Sequence, residues 1–349
     1  MTVRSPLYMV TQEPSVHRLV TYLQGTSRHL LRRGHSGYRL TFSRSHIEEA
    51  RQAFGRTIRQ GEARLHRLCG LLSRSFFANE WDMSSVVVGK VKESGERFTL
   101  VRNITPEELY AHTDLDLGNR QLQRLRFETS SGWSQATLVA NFVEYQPRGP
   151  NQLEVYKLTS RIKAEQEIWN KVVDEIFHID HLVASDKQLR HLSRYVKDVF
   201  GFKILVSDED SARALHNHLT TWEWTAAELW RYKAPFEPNT RRLEFLEVKD
   251  YLAPERTKDS GWRAMKSVVR WWDQTFEIQV QPLRNYFRER ERLTQESHAG
   301  FKARREELRD RIARAMPLFS FYRSLLRWLF LEPDGPPPNY AGVTIELRP

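Results

Sequence analysis

The sequence predicts an α+β chain, with a helical plus ββαββ N-terminal domain followed by an α/β domain in which helices flank a mixed sheet. Three observations predict it. Apolar residues recur at helical spacing up to about Phe77, β-rich runs replace them from Ser84, and strand-like and helix-like stretches alternate beyond Pro147-Arg148-Gly149-Pro150. That Pro/Gly-rich stretch marks a domain boundary, so the expected divisions are 1–148, 151–315 and 316–349.

The opening helices run from Ser15 to about Arg33 and from Ser45 to about Phe77. The second carries a capping-box pair, Ser45 and Glu48, ahead of an apolar stripe at Ile47, Ala50, Phe54, Ile58, Leu65, Leu68 and Leu72. Val86-Val87-Val88 and Phe98 to Val101, split by Glu93-Ser94-Gly95-Glu96, predict a hairpin. Thr105-Pro106-Glu107-Glu108 predicts a short helix, because a capping Thr precedes a proline at the first helical position and an acidic first turn. Strands follow over Leu122 to Thr129 and Gln135 to Tyr145. Beyond the boundary, strands are expected at Val155 to Ile162, Phe202 to Val206, Arg241 to Val248, Ala264 to Arg270 and Thr275 to Val280. Helices are expected at Glu165 to Phe177, from about Ser207, and over the charged stretch Leu283 to about Ala315. The tail holds an aromatic helix, Leu318 to Leu331, that is apolar on most sides and must dock, and a last extended piece, Gly342 to Leu347.

The 349 residues are 40% hydrophobic and 28% charged, neither the polar bias of a disordered chain nor the apolar bias of a membrane protein. Cys69 is the single cysteine, so no internal disulfide can form, and its apolar helical register makes it a buried structural thiol. Histidines occur singly, without metal-ligand spacing, so no transition-metal site is expected. No uncharged apolar run reaches bilayer length and no signal-peptide order opens the chain, so the expected compartment is the cytoplasm with no membrane partner. A net charge of +10 favours an anionic partner such as a polyphosphate nucleotide or RNA, although a solvated cationic surface would account for it equally.

Three clusters carry candidate chemistry. In the first, Arg161 and Lys163 share one face of a strand, and Lys171 lies two helical turns further on, at a junction suited either to phosphate or to plain surface charge. In the second, Asp198 and Lys203 bracket an apolar strand entry, where a carboxylate is a Mg²⁺ ligand, a cap or a salt-bridge partner. The third joins Lys249-Asp250-Tyr251 to the stretch Lys258 to Lys266, and then to Glu277-Ile278-Gln279-Val280, whose alternation puts Glu277 and Gln279 on one strand face. Trp262 there is a stacking surface or a core residue.

Taken in order, these clusters resemble the synthetase domain of the RelA/SpoT alarmone family, and Ser160-Arg161-Ile162-Lys163 is most similar to its small single-domain members, toxin forms included. Arg161, Lys163, Ile168 and Lys171 match its Arg-x-Lys strand and following helix. Asp198, Gly201 and Lys203 match its Asp-x-x-Gly-Ile-Arg strand, Lys249-Asp250-Tyr251 its Lys-Asp-Tyr, and Glu277-Ile278-Gln279-Val280 its Glu-Ile-Gln-Ile strand. Lys258, Ser260-Gly261-Trp262 and Lys266 are similar to its acceptor loop. The chain departs from the pattern at Glu167 for serine, Lys203 for arginine, Ser260 for asparagine, Trp262 for tyrosine and Lys266 for histidine.

The resemblance implies a nucleotidyltransferase-type sheet over residues 151–315 and transfer of the β,γ-pyrophosphate of ATP to a hydroxyl, with release of AMP. The acceptor is then GTP, GDP or another guanosine or adenosine nucleotide, or the 3′ end of a tRNA. It implies Asp198 and Glu277 as catalytic carboxylates and Mg²⁺ ligands. Arg161, Lys163, Lys171, Lys203 and Gln279 would bind the nucleotide, and Lys258, Ser260, Gly261, Trp262 and Lys266 the acceptor. Residues 1–148 carry no readable motif and are placed for a regulatory or antitoxin partner. The competing reading is a catalytically reduced domain that senses nucleotides or binds protein.

Overall fold

The fold was described from a computed structural model covering residues 13–33, 37–77, 80–130, 132–162, 165–177, 199–253, 262–288, 310, 313–314 and 316–349. The chain divides into two compact units. One comprises 59–162 and 197–297, and the other 1–58, 163–196 and 298–349.

The larger unit is organised by one eight-stranded sheet. Its strands are β2 (Trp81–Val91), β3 (Arg97–Asn103), β6 (Ala136–Pro147), β7 (Val155–Ile162), β8 (Phe200–Val206), β9 (Glu244–Asp250), β10 (Met265–Trp271) and β11 (Gln274–Pro282). Their spatial order is β3-β2-β6-β7-β8-β11-β10-β9. Only β8 and β11 pair in parallel, which makes the sheet mixed as expected. The boundary expected at 147–150 is corrected: β6 pairs antiparallel with β7, so a single sheet passes straight through it. Asn151 closes the connection, its side chain both accepting from Val155 N and donating to Val155 O at 2.9 and 2.8 Å. Proline and glycine here mark a hairpin connection rather than a linker.

The β2–β3 hairpin turns at Gly95, whose φ of +73° suits a residue without a Cβ. α3 (Pro106–Ala111) starts on the expected capping Thr105, whose side chain accepts from Glu108 N while the Glu108 side chain accepts from Thr105 N to complete a capping box. The strand expected over Leu122 to Thr129 is corrected, because a second capping box, Thr113 with Asp116, starts α4 (Asp114–Gln123), and only β4 (Phe127–Thr129) remains extended, paired with β5 (Gly132–Ser134). Asp114, Leu117, Gly118 and Leu122, three residues apart from Asp114 to Leu117 and four from Asp114 to Gly118 to Leu122, bury one face of α4.

The long helix α2 runs over Arg44–Phe77. Its first-turn N–H at His46 is taken by Ser43 Oγ at 3.4 Å, while Glu48 bonds Gln52, so the expected Ser45–Glu48 capping box does not form. The later half of α2 lies in the larger unit, where Leu65, Leu68, Cys69 and Leu72 are buried. Gly61 there lies so close to the Phe200 ring that a Cβ would stand 2.2 Å from it. α6 (Glu209–Thr221), capped by Asp208, buries Ala212, Leu215 and Leu219. The short helices α7 (Ala226–Arg231) and α8 (Pro238–Arg241) precede β9.

The smaller unit holds α1 (Pro14–Arg33), the early half of α2, α5 (Glu165–Ile176) and α9 (Pro317–Phe330). It also holds β1 (Tyr38–Ser43), which pairs in parallel with β12 (Val343–Arg348). The tail helix docks: Phe330 stacks on Trp169 of α5 with ring centres 3.7 Å apart, and Phe319 and Tyr322 meet Phe177 edge-on. The expected helix from Leu283 to Ala315 is helical over 283–288, while 289–309 lie outside the described residues. Among the described residues no helix is long and apolar enough to cross a membrane.

Candidate functional site

Pairing register aligns side chains across the sheet in rows, because directly paired residues point to the same face. One row reads Thr159 (β7), Lys203 (β8), Gln279 (β11), Lys266 (β10) and Lys249 (β9). The next reads Arg161, Gly201, Glu277, Val268 and Glu247. Sequence positions separated by more than a hundred residues thus form a cationic band with carboxylates beside it. At the usual strand spacing of about 4.8 Å, Lys203 and Lys249 stand about 14 Å apart along the band.

Glu277 is the anchor of this face. It is 9% exposed, and its two oxygens are held separately: Lys266 Nζ approaches Oε2 at 2.5 Å, and Gln279 Nε2 donates to Oε1 at 2.6 Å. Gly201 stands between Arg161 and Glu277 in its row, and a Cβ there would meet the Glu277 carbonyl oxygen at 3.0 Å. Glycine therefore leaves the space above the row open. The Lys203 ammonium lies over the Tyr286 ring, 5.3 Å from its centre, an aromatic contact that the sequence reading did not anticipate. Lys249 pairs with Glu247 at 2.5 Å.

At the end of β9, Asp250 Oδ1 accepts from Leu252 N and Ala253 N at 2.7 and 3.2 Å, fixing a turn. Tyr251 N donates to Ala264 O, and the Tyr251 and Trp262 rings meet edge-on at 5.3 Å. Arg263 pairs with Glu209 at 2.6 Å.

Of the residues expected in the site, Arg161, Lys203, Lys266, Glu277 and Gln279 share this face, and Trp262 lies just before the strand that carries Lys266. Lys163, Asp198, Lys258, Ser260 and Gly261 lie outside the described residues, as does the side chain of Lys171.

Mg²⁺ is a hard cation that takes carboxylate and phosphate oxygens. Glu277 suits it by donor type, and each of its oxygens has a lone pair beyond the bond already accepted.

A second cluster escaped the sequence reading. On the opposite, largely apolar face of the sheet, Glu62 and His66 of α2 meet Asp114 at the start of α4, contrary to the expectation that the histidines stand alone. His66 Nε2 lies 2.8 Å from Asp114 Oδ1, and the Tyr145 hydroxyl lies 3.4 Å from His66 Nδ1. Burial first, and then the charge of Asp114, pushes the Glu62 carboxyl up to about 8. The Glu62–His66 spacing of one helical turn was the available signal, whereas Asp114 is distant in sequence.

No protein-family profile matches the sequence, and no curated protein does. Among solved structures, the chain is similar to the small alarmone synthetase 1 from Bacillus subtilis, with 17% identity over 48% of this chain and 74% of that one and a TM-score of 0.27. A structure titled as the same synthetase bound to its product pppGpp gives 15% identity, 50% and 81% coverage, and a TM-score of 0.27.

Proposed function

We propose that the cationic face around Glu277 is the site of an ATP-dependent pyrophosphokinase, which moves the β,γ-pyrophosphate of ATP to a hydroxyl of a guanosine or adenosine nucleotide, or of a tRNA 3′ end, and releases AMP. The observation that carries this reading is the row Lys203–Gln279–Lys266–Lys249 beside the row Arg161–Gly201–Glu277. Triphosphate transfer needs neutralisation of negative charge and acceptance of one proton, and these rows supply several cations and a buried carboxylate.

In the reaction, the acceptor oxygen attacks the β-phosphorus, the bond from that phosphorus to the oxygen bridging the α- and β-phosphates breaks, and AMP leaves with that oxygen. Glu277 would receive the hydroxyl proton, and Lys203 and Arg161 would hold phosphate oxygens. Gln279 fixes the Glu277 carboxylate. Trp262 would stack on the acceptor base, and Lys266 would bind acceptor phosphate when it leaves Glu277. Mg²⁺ held by Glu277 together with Asp198 would neutralise charge on the transferred group. Assignment of Lys163 and Lys171 to phosphates, and of Lys258, Ser260 and Gly261 to the acceptor, rests on sequence resemblance. The regulatory or antitoxin partner belongs to the same proposal, and Trp133, 73% exposed on the β4–β5 hairpin, is its contact to test.

One observation favours a second reading. The Lys266–Glu277 pair already neutralises the carboxylate, as suits a domain that binds nucleotides without turning them over. Incubation with ATP labelled in its β- and γ-phosphates and with GTP, GDP or bulk tRNA separates the two. Label on a nucleotide or on tRNA with AMP release is expected; nucleotide binding without either product establishes the sensor. Glu277→Gln and Asp198→Asn should each lower transfer by about 10²- to 10⁴-fold with the melting temperature preserved. Full activity in both would remove the assignment.

A further inference from the structure

The Glu62–His66–Asp114 cluster takes no part in the proposed transfer chemistry, and it is built as a ligand set. Glu62 and His66 are one turn apart on α2, so both project from the same side of that helix. Asp114 opens α4. The three residues are 5%, 2% and 4% exposed, and their ligand-capable atoms all lie within 4.8 Å of one another. His66 Nε2 is 2.8 Å from Asp114 Oδ1 and 4.0 Å from Glu62 Oε1. Asp114 Oδ2 is buried with no hydrogen-bond partner. Burial and the neighbouring Asp114 charge keep a proton on Glu62 in the metal-free cluster, and a divalent cation can take that proton's place between the two carboxylates.

We propose that Glu62, His66 and Asp114 form a structural site for a divalent transition metal of the Zn²⁺ class, which ties α2 to α4. The donor set, one imidazole nitrogen and two carboxylates, suits Zn²⁺ or Mn²⁺ better than Mg²⁺ or Ca²⁺. Metal–ligand bonds of about 2.0–2.2 Å set tetrahedral ligand atoms about 3.3–3.6 Å apart, between the two distances observed here. The surrounding groups orient the ligands as metal sites require. Tyr145 faces the other imidazole nitrogen, the Asp114 N–H donates to the Glu62 carboxylate, and Asn141 Nδ2 donates to the Asp114 carbonyl at 2.8 Å. Full burial makes the site structural rather than catalytic.

The test uses the tag-free full chain, loaded with Zn²⁺, desalted and analysed for bound metal by mass spectrometry. About one equivalent is expected in wild type and in Glu277→Gln, and about a tenth or less in His66→Gln and Asp114→Asn. Removing the metal from wild type with dipicolinate should lower its melting temperature by several degrees, and Zn²⁺ should restore it. Co²⁺ in place of Zn²⁺ should give visible absorption bands in wild type. Should the variants fail to fold, the wild-type measurements decide alone. Metal at background level with a melting temperature indifferent to Zn²⁺ and chelator overturns the site and leaves a metal-free proton-sharing cluster.

Discussion

Lys266 and Glu277 meet at 2.5 Å, and that single contact both orients the carboxylate and competes with any cation or proton it must take. The Glu-Ile-Gln-Val alternation made Glu277 and Gln279 legible from sequence, since a strand of period two puts them on one face. Their link to Lys266 was not legible, because it depends on the register of β10 against β11. On the other face, His216 is buried against Ser267, with Nε2 and Oγ 2.7 Å apart. Burial lowers its pKa from the ordinary 6.5. The unfolded chain therefore takes up this proton first as pH falls, so stability drops below about pH 6.5 and the loss levels off beneath the folded-state value. His216→Gln should remove that increment: the difference in unfolding free energy between wild type and variant, followed by urea titration from pH 7.5 to 5, should narrow as pH falls. A constant difference would refute the assignment.

At the scale of elements, close approach sets the packing of α2 on the sheet. Helix propensity alone predicts that Gly61→Ala stabilises by about 1 kcal/mol. The Phe200 ring, buried and already in the way of a Cβ, reverses the sign, and overpacking of this kind costs about 1–3 kcal/mol. We expect a net loss of about 1 kcal/mol, read as a lower urea midpoint, with Phe200→Leu in the same chain recovering part of it. The β10–β11 turn shows a related tension, since Trp272 and Asp273 both have positive φ, at 48° and 59°. Such a two-residue turn matches strand twist but favours Asn-Gly. Here Trp272 is held by Arg64 and Arg67 over its ring and by its N–H donating to Asn239 O at 2.8 Å. Elements with strong local signals, such as α3 with its capping box, were readable. α4 was not, although Thr113 and Asp116 form the same motif, because the apolar run beyond it resembled a strand.

At the scale of the whole molecule, the continuous sheet removes the division at residue 148. β6 and β7 exchange ladder bonds across it, so chains cut there leave each partner with an unpaired edge and an uncovered apolar face. Residues 1–148 and 151–349 expressed separately should each be insoluble or lack cooperative melting, and co-expression should restore a cooperative transition. Two independently folded fragments would reinstate the boundary. The alternation of strands and helices, the docking tail helix and the carboxylate face of β11 were determined by the sequence, because each follows from local periodicity, capping or composition. The single sheet, the lysine row and the buried Glu62–His66–Asp114 cluster were decided only by tertiary structure. Each depends on which strand or helix lies beside which, and neither pairing register nor contact between residues some fifty positions apart leaves a periodic trace in the chain.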